Sequence, residues 1–295
     1  MKTTTKIAFL LLLLCAPMSG FAQQGENEEL KIAALEALIS APPERAMPIV
    51  QKVLAGDDSD ELKARALFVL SQIDTPEAQS LLVDTARNSS GELQNEAIRM
   101  IGISGNSAAI GELAGLYASG DQNTKEAVLE AYLIAGDADP VFQIALNTDD
   151  PGEFASAVEM LGAMGALDEL RALRERSGMS DALIDAYAIA GDVESLEALA
   201  RDGSDPERQA QALEALGIAG GAGTTLAEIY RSSDNADVRE AALDGMMIGG
   251  HDDIVLELFR SSDDAEEKRA MLELLVMMGS DEVWDIIDQT LEAGQ

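Results

Sequence analysis

The sequence predicts an all-α protein, a right-handed α-solenoid of about nine helical hairpins. One observation is a nine-residue phrase of small and apolar residues closing on glycine. It occurs at 97–105, 157–165, 183–191 and 212–220, with looser copies ending at Asp74, Gly136, Gly250 and Gly279. Successive copies close 26 to 31 residues apart. A period near 30 is typical of stacked repeats that bury their apolar faces against their neighbours. The second observation is that no segment alternates with the period of a strand.

The phrase itself has helical spacing. In the copy at 212–220, the apolar positions fall on one helix face. They are Ala212, Leu213, Ala215, Leu216 and Ala219. The closing glycine supplies the left-handed residue that ends a helix. A second, more variable helix follows each phrase, for example at 107–118, 192–201 and 252–260.

Turns rich in Asp and Ser precede the phrases, at 57–61, 148–153, 202–207 and 261–267. Asp and Ser are favoured N-caps, and Pro151 and Pro206 suit the first position of a helix. Counted from about Glu28, each repeat has two helices, which gives roughly 18 helices.

The segment at 238–250, VREAALDGMMIGG, resembles the HEAT-repeat consensus in Val238, Arg239, the two following alanines and the glycine close. The resemblance to HEAT-like repeats of the phycobilin-lyase type extends from about residue 28 to residue 293. It implies that the helix after each acidic turn lines a concave face. The place of Arg239 is taken elsewhere by Lys63, Gln94, Lys125 or Gln209. An inter-repeat ladder of ion pairs, which the family often has, is therefore expected to be incomplete.

The first 22 residues have the pattern of a cleaved secretory signal. Lys2 and Lys6 precede an uncharged stretch, and Ser-Gly-Phe-Ala offers cleavage after Ala22. The stretch is too short to span a bilayer as a helix. Leu14 does not suit a lipoprotein box at Cys15, so lipidation is not expected. The prediction is a bacterial protein, periplasmic or secreted, with residues 23–295 forming a single solenoid.

The chain is strongly acidic, with 54 Asp and Glu against 20 Lys and Arg and a net charge of −34. This balance excludes nucleic acid as a partner, because binding it needs basic surface. Adaptation to high salt and recognition of a basic protein or peptide are both compatible with such acidity, and the composition leaves the two open.

One position of the repeat concentrates the acidity. The third residue of the phrase is a carboxylate in seven of nine repeats and is expected to face solvent. These nine positions are the candidate binding residues and are called the acidic column: Glu36, Phe68, Arg99, Glu130, Glu159, Asp185, Glu214, Asp244 and Glu273. The column is interpreted either as a solvated face or as a groove for cationic peptides, basic proteins or divalent cations. Phe68 and Arg99 interrupt the column. Their presence is interpreted either as ordinary divergence between repeats or as a feature that orients a bound partner.

Other candidates have simpler interpretations. His251, the single histidine, precedes Asp252 and Asp253 and is expected to serve in capping rather than metal binding. Methionines at 246–247 and 277–278 are expected in the core rather than as copper ligands. Tyr132 and Tyr187 share a column with leucines and are expected to be buried.

Nothing in the sequence predicts catalysis, a metal site or a cofactor. The GGAG stretch at 220–223 is predicted to be a turn between helices, not a phosphate loop. The prediction is an exported scaffold that binds a protein or peptide through the acidic column. The alternatives are a calcium-responsive acidic repeat protein and an accessory lyase-like subunit.

Overall fold

The structure is a computed structural model. It describes the backbone of residues 19–293 and the side chains of residues 28–289, 291 and 292. The apolar part of the predicted signal peptide, with Cys15, lies outside the described residues, and cleavage after Ala22 stays a prediction.

All regular elements of the described residues are helices, and they form two compact units. Unit 1 ends at Glu112 and unit 2 begins at Leu113. Unit 1 contains six α-helices and one short 3-10 helix, Ala37–Ser40. The α-helices are α1 (Ser19–Glu36), α2 (Pro43–Ala55), α3 (Asp60–Ser71), α4 (Pro76–Asn88), α5 (Glu92–Ser104) and α6 (Ser107–Gly111).

Unit 2 contains two alternating sets of helices. The first layer consists of α8 (Gln122–Ala135), α10 (Pro151–Ala163), α12 (Asp181–Ala190), α14 (Pro206–Ile218), α16 (Ala236–Ile248) and α18 (Ala265–Met278). The second layer consists of α7 (Leu113–Ser119), α9 (Ala138–Asn147), α11 (Leu167–Ser177), α13 (Val193–Asp202), α15 (Gly223–Ser232), α17 (Asp252–Ser261) and α19 (Glu282–Ala293). Each first-layer helix packs on the next helix of that layer, and most helices adjacent in the chain also pack on each other. The predicted all-α solenoid architecture is confirmed.

The helix count differs from the prediction at one place. The helix expected over 107–118 is interrupted at Glu112, so that α6 and α7 replace one helix. That residues 23–295 form a single solenoid stays a prediction.

Helix ends follow the local sequence signals. The Asp150 side chain accepts hydrogen bonds from the backbone N–H groups of Gly152 at 2.8 Å and Glu153 at 2.9 Å, and Pro151 opens α10. Asp205 caps α14 in the same way. At the other end of the repeat, Gly136 closes α8 with a φ of 70°, the left-handed conformation that glycine adopts without strain.

The core lies between the two layers and consists mainly of Leu, Ala, Ile and Val, with methionines and tyrosines among them. Tyr132 and Tyr187 are fully buried as predicted. The backbones of α14 and α16 approach so closely that a Cβ on Gly245 would lie 2.4 Å from the Leu213 carbonyl oxygen. The expectation that Met277 fills the core is wrong, because its side chain is 69% exposed.

No helix among the described residues is long and apolar enough to cross a membrane.

Candidate functional site

The acidic column lies on the exposed side of the first layer. Glu214 shows why: its neighbours Leu213 and Ala215 point into the core, while its own carboxylate points away from them. None of the nine column residues is buried. Six of them, from Glu130 to Glu273, lie on the six first-layer helices of unit 2. The other three, Glu36, Phe68 and Arg99, lie in unit 1 on α1, α3 and α5.

Most column carboxylates of unit 2 have no cation beside them. Within the described part of the chain, four of the six make no salt bridge: Glu159, Asp185, Glu214 and Asp244. Glu273 pairs with Arg269 one turn earlier on α18, with Arg269 Nε 3.0 Å from Glu273 Oε1. First-layer helices stack at about 8–10 Å, where two carboxylates repel by only ~0.5 kcal/mol in water. The column is therefore tolerated without a ligand and is available to a cationic one.

The two residues that interrupt the column, Phe68 and Arg99, make contacts with other side chains of unit 1. Arg65 lies over the Phe68 ring, 5.8 Å from its centroid, and also pairs with Glu36 at 3.4 Å. Arg99 Nη1 lies 2.5 Å from Glu96 Oε2 on the same helix. Both side chains thus have intramolecular contacts, and the proposal that they orient a partner stays a prediction.

The expected inter-repeat ladder is present at some repeats of unit 2. Lys125 of α8 pairs with Glu153 at the start of α10, and its ammonium nitrogen lies 5.4 Å from the Tyr117 ring centroid. Glu153 also accepts a hydrogen bond from Thr148 in the intervening turn. The bond from Lys125 is the main reason that the pKa of Glu153 is lowered.

The same arrangement recurs four first-layer helices further along the chain. Arg239 of α16 pairs with Glu267 of α18, and its guanidinium carbon lies 4.6 Å from the Tyr230 ring centroid. Ser262 donates to Glu267 as Thr148 does to Glu153. These cations bind carboxylates at the helix starts and are not directed toward the acidic column.

In repeats that have glutamine at the position of Lys125 and Arg239, the glutamine side chain donates to a different acceptor. Gln209 Nε2 donates to the Ala200 carbonyl oxygen near the end of α13, at 2.6 Å. In unit 1, Gln94 Nε2 donates to the Ala86 carbonyl oxygen of α4, at 2.8 Å. Glutamine thus ties its helix to the preceding helix, whereas Lys125 and Arg239 tie theirs to the next first-layer helix.

The second layer of unit 2 carries its own ion pairs, the Arg–Glu ladder. An arginine in the last turn of one helix pairs with a glutamate of the next second-layer helix. The pairs are Arg201–Glu228 at 3.0 Å, Arg231–Glu257 at 2.9 Å and Arg260–Glu282 at 3.1 Å. All six side chains are exposed, so each pair contributes little to stability.

One second-layer ion pair is different because its carboxylate is buried. Asp192 caps α13, is 3% exposed and accepts two hydrogen bonds from Arg171, at 3.0 and 2.9 Å. Ser195 donates to it from its hydroxyl, at 2.7 Å. Burial by itself raises the pKa of Asp192, but the bonds from Arg171 and Ser195 outweigh burial, so this pKa lies below 3.8.

The expectation that the His251 side chain caps a helix is wrong. It occupies the N-cap position of α17, but its side chain makes no capping hydrogen bond. The ring instead fills the space beside Gly223 and Gly249, where a Cβ would lie within 3 Å of ring atoms. Its Nε2 is buried and has no partner among the described residues. The described residues contain no group of three or more His, Cys, Asp or Glu arranged for a metal ion.

Sequence reasoning missed a second row on the same face. The seventh position of the phrase, four residues after the acidic column, holds a large exposed apolar side chain on five of the six first-layer helices of unit 2. These residues are called the apolar row: Ile134, Ile189, Ile218, Ile248 and Met277. The recurrent isoleucine in the phrase was the available signal. It was overlooked because isoleucine in a helical pattern is usually counted as core.

Comparison with known families supports the resemblance found in the repeats. Residues 47–133, from α2 into α8, match a family model described as HEAT repeats. The repeats in this part of the chain are therefore similar to HEAT repeats. A comparison with curated proteins gives no significant match.

Several solved structures are similar to this chain. One is the complex of CpcE and CpcF of phycocyanin lyase from Nostoc sp. PCC7120, with 19% identity, a TM-score of 0.33 and coverage of 76% of this chain and 91% of that one. An engineered protein matches with 19% identity, a TM-score of 0.34 and coverage of 92% and 91%. A second engineered protein matches with 20% identity, a TM-score of 0.25 and coverage of 78% and 95%. All three similarities are weak, and neither lyase activity nor a subunit partner follows from them.

Proposed function

We propose that this protein is a non-enzymatic scaffold of HEAT-like repeats that binds a basic protein or peptide through the acidic column. The observation that carries the proposal is the row of column carboxylates on the exposed side of the first layer, four of them without a described cation. Stacked helical repeats present extended surfaces, and such surfaces bind proteins.

The charge expected of the partner follows from the electrostatics of this face. Each carboxylate is tolerated alone, but a cationic partner would relieve several repulsions together. A charged face also raises the rate of encounter with an oppositely charged partner, an effect that salt weakens. The proposed partner is therefore basic, and its binding is salt-sensitive.

The proposed location is outside the cytoplasm, in the periplasm or the medium of a bacterium. This part of the proposal rests on the basic, apolar and small-residue pattern of residues 1–22. N-terminal sequencing of the protein purified from its own cells tests it, with Gln23 as the expected first residue. A mature chain that still begins at Met1 would contradict export by a cleaved signal.

A pull-down with matched charge variants tests the proposed surface. The column variant carries Glu159→Gln, Asp185→Asn, Glu214→Gln and Asp244→Asn. The control removes four exposed second-layer carboxylates of unit 2 that make no described salt bridge, through Asp139→Asn, Asp168→Asn, Glu175→Gln and Asp253→Asn. Both variants change the net charge by the same amount and leave the Arg–Glu ladder intact.

The expected result is a specific partner that the unaltered protein and the control capture at low salt and that the column variant loses. Equal loss in both variants would mean that only total charge matters. Equal capture by all three proteins would reject the acidic column as the contact surface.

A further inference from the structure

We propose that the partner segment is a basic amphipathic helix that lies across the first layer of unit 2. Its apolar face would contact the apolar row, and its Lys and Arg side chains would reach the acidic column. This inference deepens the proposed function and rests on it, because it specifies what the same face recognises.

The apolar row is the observation that carries the inference. Its five side chains are between 42% and 69% exposed. Single exposed apolar residues are ordinary on protein surfaces, whereas a contiguous set marks an interaction site. Here the exposed residues recur at one repeat position on successive stacked helices, with Ala163 at the remaining place on α10. They therefore form a row.

The second layer provides an internal comparison. Between Leu113 and Met278, every large apolar side chain that is exposed lies on a first-layer helix, in the apolar row or next to it at Val276. The helices α7, α9, α11, α13, α15 and α17 expose none. The chain thus keeps one face of unit 2 free of exposed large apolar side chains and retains them on the other.

The two rows run side by side. Each apolar-row residue comes four positions after a column residue, so both lie on the same side of their helix. Four residues correspond to about 6 Å along the helix axis. The apolar row also lies in the last turn of each helix, where the helix dipole favours cations. The face therefore offers apolar contact flanked by negative potential.

A basic amphipathic helix matches this geometry. Six helices spaced at about 8–10 Å make a row of about 40–50 Å, which a helix of about 30 residues spans. Such a helix carries basic side chains along the edge of its apolar stripe, which suits two parallel rows about 6 Å apart. An extended strand directs alternate side chains to opposite faces and fits less well. An anionic lipid surface is repelled by the column carboxylates.

Defined peptides test the inference on the full-length protein. The probe is a fluorescent 28-residue peptide of Leu and Lys in heptad order. Its controls are a shuffled peptide of the same composition and an amphipathic peptide of Leu and Glu. Titration at low and high salt gives the affinity, and calorimetry at several temperatures gives the heat-capacity change, which is negative when apolar surface is buried.

Substitutions in the two rows separate their roles. The row variant carries Ile189→Ser, Ile218→Ser and Ile248→Ser. Its control, Trp284→Ser with Leu291→Ser, removes exposed apolar side chains of α19 outside the row. We expect the row variant to bind the Leu-Lys peptide about tenfold more weakly, with a smaller heat-capacity change. We expect the column variant to show a weaker dependence of affinity on salt, and the α19 control to bind normally.

Three results would overturn the inference: no saturable binding of the Leu-Lys peptide, equal binding of the shuffled peptide, or unchanged affinity of the row variant. Binding of anionic vesicles in preference to the peptide would also overturn it. The proposed function fails separately, if the column variant still captures the natural partner. If that partner is lost by the column variant but kept by the row variant, the scaffold function holds and the amphipathic helix is rejected.

Discussion

The two layers of unit 2 consist of similar helices but differ in the pairing of their surface charges and in the apolar side chains that they expose. On the second layer, arginines near the helix ends pair with glutamates of the next helix, and no large apolar side chain is exposed before α19. On the first layer, the column carboxylates mostly lack cations and stand beside exposed isoleucines. The Arg–Glu ladder pairs part of the second-layer charge internally, whereas the first layer presents column carboxylates without a described cation together with exposed apolar area.

Net charge does not distinguish the two surfaces of unit 2. A chain with a net charge of −34 has acidic residues on every side. What distinguishes the first layer is the combination of unpaired carboxylates with exposed apolar side chains. Adaptation to salt accounts for dispersed carboxylates but not for the apolar row.

The largest expected effect lies in the second layer, at its buried ion pair. Asp192→Ala removes the acceptor of two Arg171 hydrogen bonds and the cap of α13, so the free energy of unfolding should fall by about 3 kcal/mol. Urea denaturation measures this loss. Glu194→Ala is the control, because the exposed Glu194 lies 3.6 Å from the same arginine and should contribute less than about 1 kcal/mol. Similar losses in both variants would contradict the special role of the buried carboxylate.

The next-largest change in stability is expected in the first layer, where the backbones of α14 and α16 pack closely. Gly245→Ala places a methyl group against the Leu213 carbonyl and should destabilise the protein by about 2 kcal/mol. Gly115→Ala on α7 meets no atom within 4 Å and should instead stabilise by about 0.5–1 kcal/mol, since alanine favours the helix. Thermal unfolding of the two variants compares them, and equal shifts in Tm would refute the close approach of α14 and α16.

A pH series tests the same buried carboxylate without deleting it. Because the folded-state pKa of Asp192 is lowered below 3.8, its contribution is fully present above that pH. The contribution is lost as the pH falls through the folded-state pKa. The stability difference between the unaltered protein and Asp192→Asn should therefore shrink below pH 4. A difference that grows on acidification would mean that Asp192 is not stabilised in its charged form.

The smallest effects should have opposite signs on the two faces. Arg231→Gln breaks a rung of the Arg–Glu ladder and should cost about 0.5 kcal/mol of unfolding free energy at low salt. Glu214→Gln removes a column charge without a partner and should leave stability unchanged or slightly raised. High salt should reduce both differences. A loss of stability in Glu214→Gln would indicate that the column is paired in solution and not available to a ligand.

Local signals in the sequence predicted most helix ends correctly. Asp150 and Asp205 cap helices, and Gly136 closes one, because capping and the left-handed turn involve only residues within a few positions of each other. The exposure of the acidic column was predictable for a similar reason: a residue between two buried neighbours on a helix is directed outward.

The misjudged residues depend on neighbours from other repeats. Met277 and the isoleucines of the apolar row fit a helical apolar pattern, yet no other helix among the described residues covers them. His251 was expected to cap a helix, but glycines at 223 and 249 leave room for its ring. In each case the sequence near the residue is compatible with more than one environment.

Local sequence signals predicted most of the helices, many of their caps, the alternation of two helices per repeat and the position of the acidic column. These depend on hydrophobic periodicity and on contacts between residues close in the chain. Contacts between repeats, in contrast, establish which apolar residues remain exposed, that a buried Asp192 pairs with Arg171, and that α14 and α16 approach closely at Gly245. The physical reason is that burial and close approach are set by helices about 30 residues apart in the chain, whose packing no local pattern encodes.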